Sequence, residues 1–382
     1  MIKRPALILV LSLLNIFTLL SQPHDTEVYL LTCDPGPESY TMYGHSALRL
    51  YDATSGTDVV YNWGVFDFST TNFNYKFARG RLNYKLAAYS YNSFLNEYRP
   101  TRRSVYSQRI YLPEEELFKL KRLLDENLKP ENVFYKYDFF RDNCSTRIRD
   151  LIEELYGDKL VYPVQEDEVK ATFRKRIDEF HDGVLWMDAG IDLLLGSPAD
   201  EKCGFRESMF LPEYLMKNMS QAYVIDDDRR VMLLGPTTMV FDHERPEYDT
   251  GILKQPWFWL SLAFIVITLF TLFIRVRKIQ NVFGVIFWSV LSLLALLMIF
   301  LNYMTDHEAM GNNYNMIWLN PLIPIALYAI FSKRKLFWFW RTQIALSVIF
   351  MLVIVLIQQS INPAFIPVIL MIIIRSYYRL SE

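Results

Sequence analysis

The last third of the chain consists of apolar runs separated by short polar connections, and this pattern constrains the fold more than any other. Each run approaches the length that a helix needs to span a bilayer, about 20 residues, and the last run is the weakest. Since a backbone inside lipid must satisfy its own hydrogen bonds, such runs form helices. We therefore predict an all-α transmembrane domain over residues 256–382. Its five helices are expected at residues 257–274, 282–303, 316–331, 337–357 and 364–374.

Lysine and arginine in the connections predict how this domain is oriented. Two connections, residues 305–315 and 358–362, contain neither residue type. The others carry the positive charges, and cytoplasmic connections are the ones that retain lysine and arginine. Residues 22–255 are therefore expected on the outer side of the membrane. The charges concerned are Arg275, Arg277, Lys278, Lys333, Arg334, Lys335, Arg375 and Arg379.

The first 21 residues have the pattern of a signal peptide, which agrees with this orientation. Lys3 and Arg4 precede an apolar segment at 5–20, and the segment ends near Ser21. An uncleaved membrane anchor is the alternative. Both interpretations put the following residues outside the cytoplasm.

Residues 22–255 have the composition of a water-exposed domain. Residues 113–128 begin with proline and acidic residues and have a helical apolar period, so they predict a surface helix. The chain as a whole is 52% hydrophobic but 21% charged, which fits a membrane protein with a large soluble domain. Its net charge of −2 gives no reason to expect a nucleic-acid partner. Strands are predicted at 27–33, 45–51, 59–64 and 103–112.

The cysteines and histidines do not have the spacing of a metal site. Cys33, Cys144 and Cys203 form no CxxC pair, and the five histidines form no HExxH or HxH motif. We therefore expect no metal and no cofactor. A disulfide between Cys33 and Cys203 remains open, because spacing alone does not establish it.

Cys144 lies at the start of a predicted helix. The apolar residues after it recur with a helical period, Asp142 or Asn143 can cap the first turn, and Gly157 is a natural stop. A thiol in the first helical turn faces unpaired N–H groups, and Arg141 and Arg147 add positive charge, so its pKa should fall. A buried structural cysteine is the simpler alternative. The polar collar Arg-Asp-Asn-Cys-Ser-Thr-Arg argues against it.

A cysteine nucleophile needs a base and a group that orients the base. His45 is the best candidate base, because it follows Gly44 at the start of a predicted strand. Asn62, on the next strand, is the preferred orienting residue, and Asp67 is its competitor. His181 and His243 are interpreted as solvated loop or helix-end residues.

The remaining candidates concern the oxyanion and the lipid. The backbone N–H of Cys144, with help from Asn143 or Tyr43, is expected to stabilise an oxyanion. The loop at 305–315 carries His307, which is a candidate for contact with lipid head groups. A merely solvated loop is the alternative for this segment.

These residues resemble the circularly permuted papain-like group that includes lecithin:retinol acyltransferase, in which an Asn-Cys dipeptide also opens a helix. A histidine-bearing strand, a polar residue on the next strand and then Asn143-Cys144 follow in the same order. The resemblance implies an α+β, permuted papain-like (NlpC-like) thiol domain over residues 22–255. That group usually has a second histidine where this chain has Asn62, so the departure concerns the orienting residue.

A broader resemblance covers most of the chain and is to the Lnb-type family, which joins an N-terminal periplasmic domain to a transmembrane domain. The family's histidine motif falls on His45 and its cysteine motif on Cys144. The resemblance implies a multi-pass protein of the bacterial inner membrane with its catalytic domain in the periplasm. It is carried by LLTCDPG, YGHSALRLYD, YNWGVFDF, FARGRLNYKL, RSVYSQRIYLPEEE, YDFFRDNCSTRIRDL and MFLPEYL.

The family resemblance implies a lipoprotein N-acyltransferase. The Cys144 thiolate would take a fatty acyl chain from a membrane phospholipid as a thioester, and the N-terminal amine of a diacylglyceryl-cysteine lipoprotein would then attack it. His45 would protonate the departing alkoxide and later deprotonate the amine. The implied partners are thus a phospholipid donor and diacylglyceryl-modified lipoproteins.

Two other functions remain open. A membrane-tethered cysteine hydrolase, either a cell-wall peptidase or amidase or a thiol lipase, would use the same Cys144 and His45 with water as the acceptor. A non-catalytic envelope scaffold or sensor would account for the membrane helices but not for the polar collar of Cys144.

Overall fold

The structure is a computed structural model that describes residues 26–38, 40–163, 171–244, 248–332 and 334–382. The predicted signal peptide and Lys333 lie outside the described residues. The described part has an N-terminal α+β domain followed by a helical region, which confirms the mixed architecture expected for the chain.

The strands of the N-terminal domain form two antiparallel sheets. The larger has seven strands in the order β10-β5-β1-β2-β3-β4-β6, and the smaller has the order β7-β8-β9. The bounds are β1 Thr26–Cys33, β2 His45–Asp52, β3 Thr57–Val65, β4 Asn83–Ser90, β5 Val105–Ile110, β6 Phe134–Lys136, β7 Leu160–Val161, β8 Tyr223–Asp226, β9 Arg229–Met232 and β10 Thr238–Phe241.

Helices cover the larger sheet and build the C-terminal region. The predicted surface helix and the predicted helix of Cys144 are both present. The bounds are α1 Phe73–Ala78, α2 Tyr91–Tyr98, α3 Glu114–Asn127, α4 Cys144–Tyr156, α5 Phe173–Asp178, α6 Leu185–Leu194, α7 Pro212–Met219, α8 Pro256–Phe273, α9 Arg277–Tyr303, α10 Ile325–Ser332, α11 Phe337–Val353 and α12 Ile366–Ser381.

Helix α4 packs its apolar face on the centre of the larger sheet. Ile148 and Ile152 are 0% and 2% exposed, and they share one core cluster with Leu48 of β2 and Trp63 of β3. Burial of each such aliphatic side chain stabilises the fold by about 1.5–3 kcal/mol. This packing holds the first turn of α4 against the strands that carry His45 and Asn62.

The β2–β3 hairpin puts His45 and Asn62 on one face of the sheet. Leu48 pairs with Tyr61 in the antiparallel register, and the same register continued places Asn62 diagonally across from His45. Side chains two residues apart on a strand share a face, so His45 and Asn62 lie on the face that carries Ala47, opposite the face on which Leu48 packs against α4. At Gly64, beyond the paired residues, φ is +90°, and an added Cβ would lie 3.8 Å from Cys144 Cβ. Glycine therefore lets the strand pass close to the cysteine.

Three helices in the described part are long and apolar enough to cross a membrane. They are Pro256–Phe273, Arg277–Tyr303 and Pro363–Ser381, while the apolar helix Phe337–Val353 is shorter, at 17 residues. The run at 364–374, which is weak by sequence, thus belongs to a full-length candidate span. A count of five spans stays a prediction.

The predicted third span, 316–331, has only one short helix, Ile325–Ser332. Pro321 and Pro324 interrupt the first half of the run, because proline removes a backbone donor and clashes with the preceding turn. Trp318, Leu319 and Asn320 of the irregular segment are buried in the bundle. There Asn320 and the Gln343 side chain of α11 exchange hydrogen bonds of 3.0 and 3.3 Å. Non-helical backbone at membrane depth is tolerated when protein covers it in this way.

The connection between α9 and α10 docks on the N-terminal domain. Asp306 pairs with Arg81 at 2.9 Å, and the Gly196 N–H donates to the Ala309 carbonyl at 2.9 Å. The Asn313 side chain donates to the Leu193 carbonyl at 2.8 Å. The loop is therefore an interdomain contact rather than a merely solvated segment.

Candidate active site

Cys144 and His45 meet between the start of α4 and the start of β2. The Cys144 side chain is 8% exposed and forms a hydrogen bond with His45. His45 Nε2 lies 2.6 Å from Asn62 Oδ1, and since that oxygen only accepts, Nε2 carries the proton. Nδ1 is then the imidazole nitrogen that faces the thiol. The three residues form a chain of contacts in the order Cys144, His45, Asn62.

The environment favours a thiolate beside an imidazolium. Burial raises the pKa of Cys144, but the charge and hydrogen bond of His45, with donation from the Ser46 N–H and the Ser145 hydroxyl, bring it below the ordinary value. Burial lowers the pKa of His45, but the thiolate of Cys144 and the hydrogen bonds to Cys144 and Asn62 raise it overall. Such a pair can supply a nucleophile and a proton donor together.

Cys33 is a second buried cysteine of the same domain, and the pKa of its thiol can be compared with that of Cys144. It lies at the end of β1, and burial raises the pKa of its thiol to about 12. No disulfide joins Cys33 to Cys203, and the two residues belong to different core clusters. Cys144 is therefore distinguished by its partners and by its helix terminus rather than by being buried.

The structure separates the two residues considered for orienting the imidazole. Asn62 is 5% exposed, and its amide nitrogen donates to the Tyr89 hydroxyl at 2.6 Å, which holds its oxygen toward His45. Asp67 lies on an exposed turn, where its carboxylate accepts from Ser69. Of the two candidates, Asn62 is the one that contacts His45.

Asn143 is the cap of α4. Its side-chain oxygen accepts from the N–H groups of Ser145 and Thr146 at 2.8 and 3.0 Å. Its amide nitrogen donates to the carbonyls of Phe139 and Phe210 at 2.7 and 2.9 Å. Every hydrogen of the amide is thus engaged, so Asn143 positions the first turn and has no donor left for an oxyanion.

Tyr43, the other side chain considered for the oxyanion, is bound to His181. The Tyr43 hydroxyl lies 2.9 Å from His181 Nε2, and His181 Nδ1 lies 2.8 Å from Asp188. The interpretation of His181 as solvated is wrong: it is 2% exposed, because α5 and α6 enclose it. Nothing in its local sequence indicates this burial.

Asp178, His181 and Asp188 bring three potential metal-ligand atoms within 4.8 Å of one another. Sequence spacing did not predict this group. Both nitrogens of His181 already have protein partners, since Tyr43, His181 and Asp188 form a chain of hydrogen bonds. Burial, followed by the charges of Asp192 and Asp188, raises the pKa of Asp178 to about 7.

Tyr135 is a site residue that the sequence reasoning missed. Its hydroxyl is buried and has no hydrogen-bond partner among the described residues. Burial, followed by the negative charge of Cys144, raises the pKa of Tyr135, so the hydroxyl keeps its proton. The Arg147 guanidinium lies 4.2 Å from its ring centroid and holds the ring in place. The sequence signal that could have identified Tyr135 is its position on β6, nine residues before Cys144.

A mainly apolar cavity of about 270 Å³ lies between the N-terminal domain and the docked loop. Tyr137 lines it and is close enough to Cys144 for the thiolate, after burial, to raise its pKa. His307 lines the opposite side, where its ring would lie 3.2 Å from a Cβ at Gly80. The other lining residues include Tyr43, Phe77, Leu82, Tyr84, Phe139, Ile177, Ile191, Leu195, Ala309 and Met310.

The fold and the site define a membrane-integral protein whose N-terminal α+β domain carries a paired cysteine and histidine. The Lnb N-terminal periplasmic domain matches residues 15–173, and the Lnb transmembrane domain matches residues 249–382. The chain belongs to the Lnb-type family, as its motifs predicted. Lnb-family domains indicate a bacterial membrane protein of lipoprotein processing. No curated protein and no solved structure is significantly similar to the chain.

The first of these matches contains the candidate site but not the whole N-terminal domain. Cys144, His45, Asn62 and Tyr135 all lie within residues 15–173. The sheet continues through β10, and the helices that hold His181 and dock the membrane loop follow residue 173.

Proposed function

We propose that the protein is a lipoprotein N-acyltransferase. It moves a fatty acyl chain from a membrane phospholipid, through a thioester on Cys144, to the N-terminal amine of a diacylglyceryl-cysteine lipoprotein. The observation that carries the proposal is that Tyr137, which is close to the thiol of the Cys144–His45 pair, lines an apolar cavity whose far wall belongs to the transmembrane region.

The first half-reaction forms the acyl-enzyme. The Cys144 thiolate attacks the ester carbonyl of the phospholipid, and the ester C–O bond breaks as the C–S bond forms. The departing alkoxide takes a proton from the His45 imidazolium and leaves as a lysophospholipid. Because the pKa shifts favour a thiolate on Cys144 and an imidazolium on His45, no external base is needed.

The second half-reaction restores the enzyme. The lipoprotein amine attacks the thioester carbonyl, His45 takes a proton from the amine, and the C–S bond breaks to return the thiolate. Asn62 keeps Nε2 protonated through both steps, so Nδ1 remains the nitrogen that exchanges the proton. The N–H of Cys144 at the helix start and the Tyr135 hydroxyl supply oxyanion donors on the thiol side of the site.

The cavity suits the acyl chain of the donor. Its lining is mainly apolar, and an alkyl chain gains about 0.8 kcal/mol for each methylene that it buries. The docked loop at 305–311 connects the cavity to the membrane region. Both substrates are anchored in lipid, and we place the reaction at the outer face of the bacterial inner membrane.

The layout of the N-terminal domain also supports the proposed relationship to permuted papain-like enzymes. The histidine strand precedes the cysteine helix in the chain, and Asn143-Cys144 opens that helix. We propose five membrane passages on the basis of the three long helices, the shorter α11 and the interrupted third run.

The test is intact-mass analysis of a lipoprotein N-terminal peptide from cells that carry wild type, Cys144→Ser or His45→Ala at matched membrane abundance. Cys33→Ala is the matched control, since it removes a buried thiol whose pKa is raised. We expect the first two variants to lose one amide-linked acyl chain and the control to retain it. Unchanged acylation in Cys144→Ser would reject the proposal. Wild-type release of free fatty acid without acylated peptide would assign a hydrolase instead.

A further inference from the structure

A second cavity lies at the end of the transmembrane region that faces away from the N-terminal domain. Its volume is about 610 Å³, and it is bordered by the start of α9, the end of α10, the start of α11 and the end of α12. Helix α9 has 27 residues, so this end is about 40 Å from the loop that docks on the N-terminal domain. The cavity therefore has no part in the chemistry of Cys144.

Positive charge dominates the rim of this cavity. The charged side chains that line it are Arg277, Lys278, Arg334, Lys335, Arg379 and Glu382. Arg277, Lys278 and Arg334 are exposed, and none of them forms an ion pair with a described residue. The one acidic side chain of the lining is occupied, because Glu382 accepts from Arg379 at 2.7 Å and from the Tyr378 hydroxyl at 3.0 Å. The main-chain oxygen of Glu382 accepts from Lys335 Nζ at 3.0 Å.

The innermost cation has unused donors. The Arg379 side chain is only 9% exposed, and its Nη1 donates to Asn281 at 2.9 Å as well as to Glu382. Its Nε and Nη2 are buried and have no acceptor in the described part of the chain. Gly284 provides the space beside Nη2, since a Cβ there would lie 2.9 Å away. Buried guanidinium donors without acceptors are costly, so this group is arranged for an anion.

The walls of the cavity indicate what carries that anion. Val282 and Phe331 line it and are 57% and 70% exposed, on helix faces that point away from the protein core. Alkyl chains can lie on these side chains while a phosphate occupies the basic rim. A basic pocket between membrane helices is a common site for anionic head groups.

We propose that this cavity binds the head group of an anionic phospholipid. The phosphate accepts from the Nε and Nη2 of Arg379, Arg334 and Lys335 hold it from the loop between α10 and α11, and the acyl chains lie along α9 and α10. The lipid is a bound component of the transmembrane domain and is separate from the acyl donor.

Native mass spectrometry of the full-length protein in detergent tests the proposal, with phosphatidylglycerol as probe and phosphatidylcholine as the zwitterionic comparison. We expect preferential retention of phosphatidylglycerol and about a five-fold loss of retention for each cation neutralised in Arg379→Gln or in Arg334→Gln/Lys335→Gln. The double variant alters exposed residues, so it keeps the test valid should Arg379→Gln fail to fold. Arg275→Gln is the control, because Arg275 is exposed at the same membrane end but does not line the cavity.

Two results would overturn the proposal. One is equal retention of the two lipids by wild type, and the other is a loss in Arg275→Gln as large as in the cavity variants, which would indicate general surface charge. Glycerol 3-phosphate distinguishes the source of the phosphate: thermal stabilisation by it equal to that by phosphatidylglycerol would replace the lipid with a soluble phosphate. Since the readout is lipid retention, the result is independent of acyl transfer.

Discussion

At the scale of single residues, two cysteines in one sheet domain differ because of their hydrogen-bond partners. Cys33 is buried at the end of a strand, and burial raises its pKa to about 12. Cys144 is also buried, yet His45, the Ser46 N–H and the Ser145 hydroxyl outweigh burial and lower its pKa. The lowered pKa of Cys144 comes from the contacts that its thiol makes.

This contrast predicts the pH dependence of thiol alkylation. A thiol whose pKa is lowered is present as thiolate, and reacts, at a lower pH than an ordinary cysteine. In His45→Ala only burial and the weaker donors remain, so the alkylation midpoint of Cys144 should move above that of an ordinary thiol. Mass-resolved iodoacetamide labelling across pH measures this, with Cys33 in the same sample as the slow reference. An unchanged midpoint in His45→Ala would show that the imidazole does not stabilise the thiolate.

Tyr135 gives a second prediction at this scale. Its hydroxyl has no acceptor to lose, so Tyr135→Phe should fold normally and keep the alkylation midpoint of Cys144. If the hydroxyl binds the oxyanion, the rate of acyl transfer should fall by roughly 10²–10³. Tyr61→Phe is the matched control, since Tyr61 is a half-buried tyrosine of the same sheet that does not line the cavity. Full activity in Tyr135→Phe would remove the residue from the mechanism.

At the scale of elements, the N-terminus of α4 is built by Asn143 rather than by the cysteine. The asparagine caps two N–H groups with its oxygen and ties the turn to Phe139 and Phe210 with its nitrogen. A capping box with Thr146 completes the turn. The thiol is therefore held in place by a residue that needs no chemical role.

Removal of the Asn143 cap should lower the stability of the fold and displace the Cys144 thiol. Asn143→Ala should cost about 1–2 kcal/mol for the cap, with a further loss from the two unpaired carbonyls. Ser90→Ala removes the exposed cap of α2 and serves as the control, because Ser90 accepts only one backbone N–H, from Ser93. The unfolding temperature of Asn143→Ala should be lower than that of Ser90→Ala. Only Asn143→Ala should slow alkylation of Cys144. Equal effects on that rate would mean that the cap does not position the thiol.

At the scale of the whole molecule, the membrane loop and the N-terminal domain form one continuous structure. The backbones of the two regions come very close at Gly196 and Gly311. A Cβ at Gly196 would lie 1.7 Å from the Gly311 carbonyl oxygen. Leu193 packs in the same cluster as Trp288 and Trp318 of the membrane region. The wall of the apolar cavity depends on this docking.

Gly196→Ala should therefore separate the loop from the N-terminal domain. We expect a lower unfolding temperature, protease cleavage within 305–311 and reduced acyl transfer, while the alkylation midpoint of Cys144 stays as in wild type. Gly190→Ala is the control: it lies in helix α6 with open space around it and should stabilise the helix by about 0.5–1 kcal/mol. Wild-type activity in Gly196→Ala would show that the docked loop is not needed for the reaction.

Sequence patterns predicted the local features because neighbours along the chain encode them. Apolar length, helical period and capping residues located α4, α3 and two full-length membrane helices, and alternation located β1, β2 and β3. The third membrane run was predicted as a span because its total hydropathy is high, whereas Pro321 and Pro324 decide its conformation. Local motifs also singled out Cys144 and His45, and both residues lie within the matched N-terminal domain.

Only the tertiary structure decided what surrounds those residues, because the contacts join distant parts of the chain. Tyr43 and His181 are 138 positions apart, and Arg81 and Asp306 are 225 positions apart. Tertiary packing also creates the apolar cavity and leaves the Tyr135 hydroxyl and two Arg379 nitrogens without partners among the described residues. No periodic sequence pattern predicts these features. By itself, the sequence determined a membrane-anchored thiol domain and its candidate pair, since short-range patterns carry both. The apolar cavity that Tyr137 lines required the fold, because its walls come from distant parts of the chain.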